Sequence, residues 1–218
     1  GIKAIIVPRM SHVERISTLH KLLKKRILII DGAMGTMIQR YKLTESDFRG
    51  TQFKNHRKDL KGNNDILCIT KPEVIKEIHT TYLDAGADII ETNTFNATAI
   101  SQREYQLENA VYQMNYKAAQ IARETVDEFT RKDRESPRFV AGALGPTNQT
   151  ASASQDVNNP GHRNFTFDQF VDAYYEQAKG LIEGGVDILL VETIFDTLNA
   201  KAALFGILQC FDDLNKKL

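Results

Sequence analysis

The sequence predicts an α/β fold with a parallel sheet, and three observations predict it. Short apolar runs rich in β-branched residues recur about every 50 residues. Most are followed by a longer stretch with apolar residues at three-to-four spacing, the pattern of a helix with one buried face. The segment Leu83-Asp84-Ala85-Gly86-Ala87-Asp88-Ile89-Ile90-Glu91-Thr92 is echoed by residues 182–193, with the Glu-Thr pair displaced by two. Strand alternation keeps residues two apart on one face, so Glu91 and Glu192 are expected on the same face, one layer apart. Alternating strands and helices give parallel sheets, and units repeated on one face suggest a (β/α)8 TIM barrel.

Residues 1–25 read as an N-terminal extension. It holds an apolar patch, Ala4-Ile5-Ile6-Val7, then Pro8, then a basic amphipathic helix over residues 11–25. Ser11 stands three residues before Glu14, the spacing of a capping box, and a packing helix is favoured over a membrane-surface one. The first strand, residues 26–30, holds four consecutive apolar residues after Arg26 and is expected to be buried on both faces, with Asp31-Gly32 at its carboxyl edge. A helix is expected over residues 36–41, then a long polar loop over 42–70. Thr70 and Pro72 should open the next helix, whose stripe is Val74, Ile75, Ile78 and Tyr82.

A second strand spans residues 87–95, and a long helical segment carries Tyr105, Ala110, Val111, Met114, Ala118, Ile121, Ala122, Thr125 and Phe129. The third strand, residues 138–146, exits into a polar loop. Thr166 caps a helix that closes at Gly184-Gly185, the fourth strand spans 186–193, and a helix over 198–211 follows. Four strands do not close a barrel of eight, and an open half would leave two unpaired edges. Residues 26–218 are therefore expected to be its first four or so βα units, with the rest missing from this sequence. The terminal residues, Gly1 at one end and the polar stretch 212–218 at the other, agree with that expectation.

Composition narrows the function. Twenty-eight basic and 28 acidic residues give no net charge, which removes the bulk electrostatic signature of a nucleic-acid binder. The apolar runs fall far short of the roughly 18 residues needed to span a membrane, and no secretory signal is evident. Two cysteines, Cys68 and Cys210, do not make a disulfide framework, so a reducing cytoplasm is the expected location.

Asp31, Glu91 and Glu192 fall at or near the carboxyl ends of expected strands, the face where barrels hold their chemistry. Carboxylates there can hold an ammonium or a metal, or act as acid and base. Asp31 and Glu192 follow strongly apolar runs, where a charge is costly without a task. Glu91 reads equally well as a buried acid bonded to a neighbouring loop. The Asp-Gly-Ala-Met-Gly-Thr loop lacks the Gly-Lys-Ser/Thr ending of a phosphate-binding loop, and Ile29 stands where a phosphatase nucleophile would be. The histidines (His12, His20, His56, His79, His162) show no paired metal-ligand spacing. Gly142, Gly145 and Pro146 either admit a ligand close to backbone amides or simply form a tight turn.

Blocks within residues 30–39, 56–67, 91–95, 142–147 and 191–197 together resemble the N-terminal homocysteine-binding barrel of cobalamin-dependent methionine synthases. Among them are Asp31-Gly32-Ala33-Met34-Gly35-Thr36, Glu91-Thr92-Asn93-Thr94-Phe95 and Val191-Glu192-Thr193. The resemblance implies a methyltransferase that moves a methyl group from methylcobalamin, recharged by 5-methyltetrahydrofolate, to the zinc-activated thiol of homocysteine. It implies that Asp31 and Glu192 hold the substrate ammonium, while Gly32, Gly142 and Thr94 or Thr147 lie near its carboxylate. The family's zinc cysteines match neither Cys68 nor Cys210 and would lie beyond Leu218, as would the cobalamin and folate modules. No catalytic residue and no metal ligand is therefore expected within these residues, and the 218-residue chain is expected to be inactive alone. A relative using betaine or S-methylmethionine, and a non-catalytic truncated product, are the alternatives.

Overall fold

The computed structural model describes residues 9–154 and 156–215. The expected apolar patch at residues 4–7, Pro8 and the final residues 216–218 lie outside the described residues. The first helix, α1 (His12–Leu23), opens with the expected capping box: Ser11 Oγ accepts the Glu14 N–H and the Glu14 carboxylate accepts the Ser11 N–H.

Three parallel strands, β1 (Ile89–Glu91), β2 (Phe139–Leu144) and β3 (Ile188–Val191), pair in chain order. Ile89 is level with Phe139, and Ala141 with Ile188. The segment before Asp31 runs beside β1 through a single parallel bridge, Ile30 to Ile89. Ile29 O accepts the N–H groups of Asp88 and Ile89 at 2.8 and 3.1 Å, and Asp31 N–H donates to Ile89 O at 2.9 Å. This segment is not buried on both faces as expected. Ile27, Ile29 and Ile30 are 87%, 60% and 41% exposed. It has a strand neighbour on one side only, and that neighbour is three residues long.

The helices follow as α2 (Met34–Gln39), α3 (Glu45–Arg49), α4 (Leu67–Thr70), α5 (Pro72–Asp84), α6 (Ala99–Gln102), α7 (Val111–Lys132), α8 (Phe167–Gly184) and α9 (Thr197–Leu214). The stretch expected to be an irregular loop over 42–70 contains α3, α4 and a short 3-10 turn at Asn64–Ile66. A Thr44–Asp47 capping box starts α3 and buries Phe48 beneath its polar exterior. Thr70 does not cap α5. It closes α4, its hydroxyl donating to Ile66 O, and α5 opens at Lys71 without a side-chain cap. Thr166 caps α8 as expected, and Asp196 caps α9.

Helices α5, α7, α8 and α9 pack side by side in chain order against one face of the sheet. Ile90, Val140 and Leu144 meet Phe170, Tyr174 and Leu181 there. The other face is floored by α1, where Leu19 and Leu22 pack on Ile89, Phe139, Ala141, Ile188 and Leu190. Residues of alternate parity thus point into a space closed at the amino ends of the strands by α1. The chemistry collects at the opposite, carboxyl end.

Candidate functional site

A cavity of about 380 Å³ opens at the carboxyl ends of the strands. The edge segment brings Asp31, β1 brings Glu91, and the chain leaving β3 brings Glu192 to its lining. Asp31 Oδ1 accepts the Glu91 N–H at 3.1 Å, doing with a side chain what a strand carbonyl would otherwise do. Glu192 N–H donates to Leu144 O at 3.0 Å, extending the β3 ladder by one bond. Thr193 follows with φ at +53°, a left-handed conformation that a β-branched residue seldom adopts.

Glu91 and Glu192 line the same cavity, as strand alternation predicts. Their expected separation is corrected by the register: Glu91 is level with Ala141 and Ile188, so Glu192 lies two alternations further on rather than one.

Among the described residues, no lysine, arginine or histidine lines the cavity. Burial raises the Asp31 carboxyl to about 7, and the charges of Glu91 and Glu192 push in the same direction. Burial likewise raises Glu91 to about 7, reinforced by Glu192, and raises Glu192 itself. A cation entering here would replace mutual repulsion with attraction, which makes the cavity suited to an ammonium group.

Asp31, Gly32, Thr94 and Glu192 are brought together on the cavity lining. Gly32 packs against Tyr82, where a Cβ would come within 3.2 Å of the phenol oxygen. The Thr94 hydroxyl is buried and donates to Ala143 O at 2.7 Å. Gly142 and Thr147 are not on the lining. Gly142 has the opposite parity to Ala141 and Ala143, so a Cβ there would meet Leu181 and Leu189 at 3.1 Å. The Thr147 hydroxyl donates to Gln149 O and accepts from Asn199 Nδ2, fixing the loop to α9. Gly145 does shape the site, since a Cβ there would run into Phe95 O.

Asp65, Asn64 and Asn93 also line the cavity and were not singled out as site residues in the sequence. The available signal was the polar triplet Asn63-Asn64-Asp65 directly before Ile66-Leu67. Asn93 Nδ2 donates to Asn64 O at 2.8 Å, joining the two wall segments.

Among the described residues, no group of three or more His, Cys, Asp or Glu is placed to hold a metal. Cys68 is buried with Sγ 3.5 Å from Asn93 O, and burial pushes its thiol well above the usual range. Cys210 lies in α9 and is pushed up to about 11, mainly by burial. The donor set present does not fit a thiolate zinc site. No helix among the described residues is long and apolar enough to cross a membrane.

Sheet order and one-sided helices define an α/β protein with an acid-lined cavity at the carboxyl edge of its parallel sheet. The chain belongs to the homocysteine S-methyltransferase family, whose model matches residues 28–216. Its fold is similar to that of the homocysteine methyltransferase MmuM from Escherichia coli. The oxidised form gives a TM-score of 0.67 at 22% identity, covering 89% of this chain and 62% of that one. The metallated form gives 0.67 at 21%, covering 89% and 63%. The apo form gives 0.60 at 21%, covering 89% and 59%. The chain thus spans about three-fifths of the length of these relatives.

Proposed function

We propose that this chain is the homocysteine-binding part of an enzyme that methylates the homocysteine thiol, and that Asp31 and Glu192 hold the substrate's α-ammonium. The observation that carries this reading is the convergence of Asp31, Glu91 and Glu192 on one cavity that no basic residue lines among the described residues, in a chain of this family. Gly32 and the wall at Thr94 would then lie beside the substrate carboxylate. Gly142 and Thr147 would support that wall from behind, through packing on α8 and anchoring to α9. The one-sided run of helices and chain-ordered strands supports reading the fold as the first units of a (β/α)8 barrel, with residues 26–218 as the barrel segment and 1–25 as an N-terminal extension whose helix α1 forms the floor.

In thiol methylation a sulfur–carbon bond forms, the methyl–donor bond breaks and the thiol proton leaves. The residues described here supply binding and orientation for that reaction. Thiol activation by zinc would fall to the cysteines that the resemblance places beyond Leu218, so the 218-residue chain is proposed to be inactive alone. Methylcobalamin recharged by methyltetrahydrofolate is the donor favoured by the sequence blocks, acting through cobalamin and folate modules of a longer cytoplasmic protein. Betaine or S-methylmethionine is the competing donor class, and donor-dependent turnover of the full-length protein separates them.

Calorimetry with homocysteine and its N-acetyl derivative tests the binding role. Homocysteine is expected to bind, and the acetylated compound, which lacks the ammonium, to lose at least tenfold in affinity. Equal affinity for both would remove the role given to the acids.

A further inference from the structure

The cavity wall formed by residues 93–97 is irregular backbone, yet its polar groups are held by side chains from separate parts of the fold. Gln177 of α8 donates Nε2 to Thr94 O at 2.8 Å. Gln102 of α6 donates to Asn96 O at 3.1 Å, and Asn115 of α7 donates to Ala97 O at 2.8 Å. Asp65 supplies the complementary acceptor: its Oδ2 takes the Asn96 N–H at 2.8 Å. All four side chains are buried. A backbone that leaves the strand ladder must find other partners for its N–H and C=O groups, and here the fold provides them in advance of any ligand.

Asp65 differs from the three amides. It lines the candidate cavity itself, and it also lines a smaller polar cavity of about 150 Å³. Among the described residues, no basic side chain lines either space. The value of Asp65 lies in the oxygen it offers as an acceptor. Burial raises the carboxyl to about 7, and the Asn96 N–H and a bond from its own backbone offset only part of that rise.

We propose that Asp65 is a positioning residue of the substrate site, fixing the Thr94–Asn96 wall through the Asn96 N–H. The role in binding rests on the homocysteine reading above; the role in holding the wall does not. Asp65→Asn keeps an oxygen for the Asn96 N–H, whereas Asp65→Ala removes it and leaves a buried donor unpaired.

The test compares both variants with wild type in the full-length protein, by hydrogen exchange of the segment containing Asn96 and by homocysteine calorimetry. Asp65→Ala is expected to lose protection at Asn96 and to weaken homocysteine at least tenfold. Asp65→Asn is expected to retain protection and to stay within about threefold in affinity. Should Asp65→Ala not fold, Asp65→Ser supplies the same comparison, because its hydroxyl falls short of the amide. Unchanged protection and affinity in the Ala or Ser variant overturns the proposal. So does a loss of affinity in Asp65→Asn equal to that in Asp65→Ala with Asn96 still protected, since charge rather than position would then be at work. If wild type binds no homocysteine while Asn96 loses protection only in the Ala or Ser variant, the substrate reading falls and the wall-holding role stands.

Discussion

Asp31 has two tasks that pull against each other. Its Oδ1 accepts the Glu91 N–H, while the rest of the carboxyl faces the charges of Glu91 and Glu192. Asp31→Asn keeps an acceptor for the backbone but removes the charge offered to an ammonium. Homocysteine affinity should fall by about tenfold to a hundredfold, the range for a hydrogen bond to a charged group, with little change in melting temperature. Calorimetry beside a thermal melt separates the two effects. Thr193 poses the opposite problem. A β-branched residue at φ +53° carries a cost of about 1–2 kcal/mol, and it sits directly after a candidate ligand-holding acid. Thr193→Gly should raise the melting temperature, and by freeing Glu192 it should also weaken homocysteine. A variant that melts lower would show that the left-handed turn is held by contacts of the threonine rather than strained by them.

The elements show what local sequence could and could not report. Ser11 and Thr166 marked real helix starts because capping is a contact between residues three apart. The α3 capping box was hidden in a stretch whose polarity read as loop. The strands were overextended for a different reason. Residues 92–95 continue the pattern of β1, but after the Thr92 N–H bonds Ala141 O the chain leaves the ladder, and Thr94 O, Asn96 O and Ala97 O take their bonds from α8, α6 and α7, which no local pattern encodes. Asp31 and Glu192 are legible as acids following apolar runs, and Glu91 only as an acid at a strand end. Asp65 was not, because its meaning depends on a loop distant in sequence. Gly142, which the resemblance places near the substrate carboxylate, faces α8, the side that strand parity gives it. The floor helix was legible as amphipathic, but its anchor was not. Asp187 is fully buried and accepts from Arg15 Nε at 2.5 Å, Arg123 Nη1 at 2.7 Å and the Val140 N–H at 2.9 Å. Asp187→Ala leaves the Arg15 guanidinium and the Val140 N–H without this acceptor and Arg123 with Asp127 as its remaining carboxylate, between α1, α7 and β2. Breaking a buried pair from one side costs about 3–5 kcal/mol, which a urea titration would register as a large drop in midpoint. A shift within experimental error would mean that the arginines reach water.

At the scale of the whole molecule, the buried titratable groups fix how stability follows pH. Burial raises Asp31, Glu91 and Asp65 to about 7, and raises Glu192 as well. The folded state therefore holds protons that the unfolded chain releases near pH 4, so these acids stabilise the fold below that pH and lose the contribution as pH rises through 7. His79 acts in the other direction. It is fully buried, and burial lowers it to about 4, so the unfolded chain gains a proton below about 6.5 that the folded state refuses. Several acids oppose one imidazole, and the folded state binds the excess of protons between pH 5 and 7. At the acid end, Asp88 and Asp196 are lowered because hydrogen bonds outweigh their burial, Asp88 through Arg26 and Asp196 through Ser152 and the α9 cap; their contribution is lost only as pH falls below about 4. The melting temperature should therefore peak near pH 5 and decline toward pH 8. Homocysteine reverses part of that decline, because an ammonium favours the ionised carboxylates, and its affinity should rise from pH 6 to 7.5 as protons are displaced. Melts at pH 5, 6, 7 and 8 with and without homocysteine measure both slopes. A melting temperature that rises from pH 5 to 8 without ligand would mean that the carboxylates ionise in their ordinary range. In that case the cavity would be hydrated and its acids would not be poised for a cation.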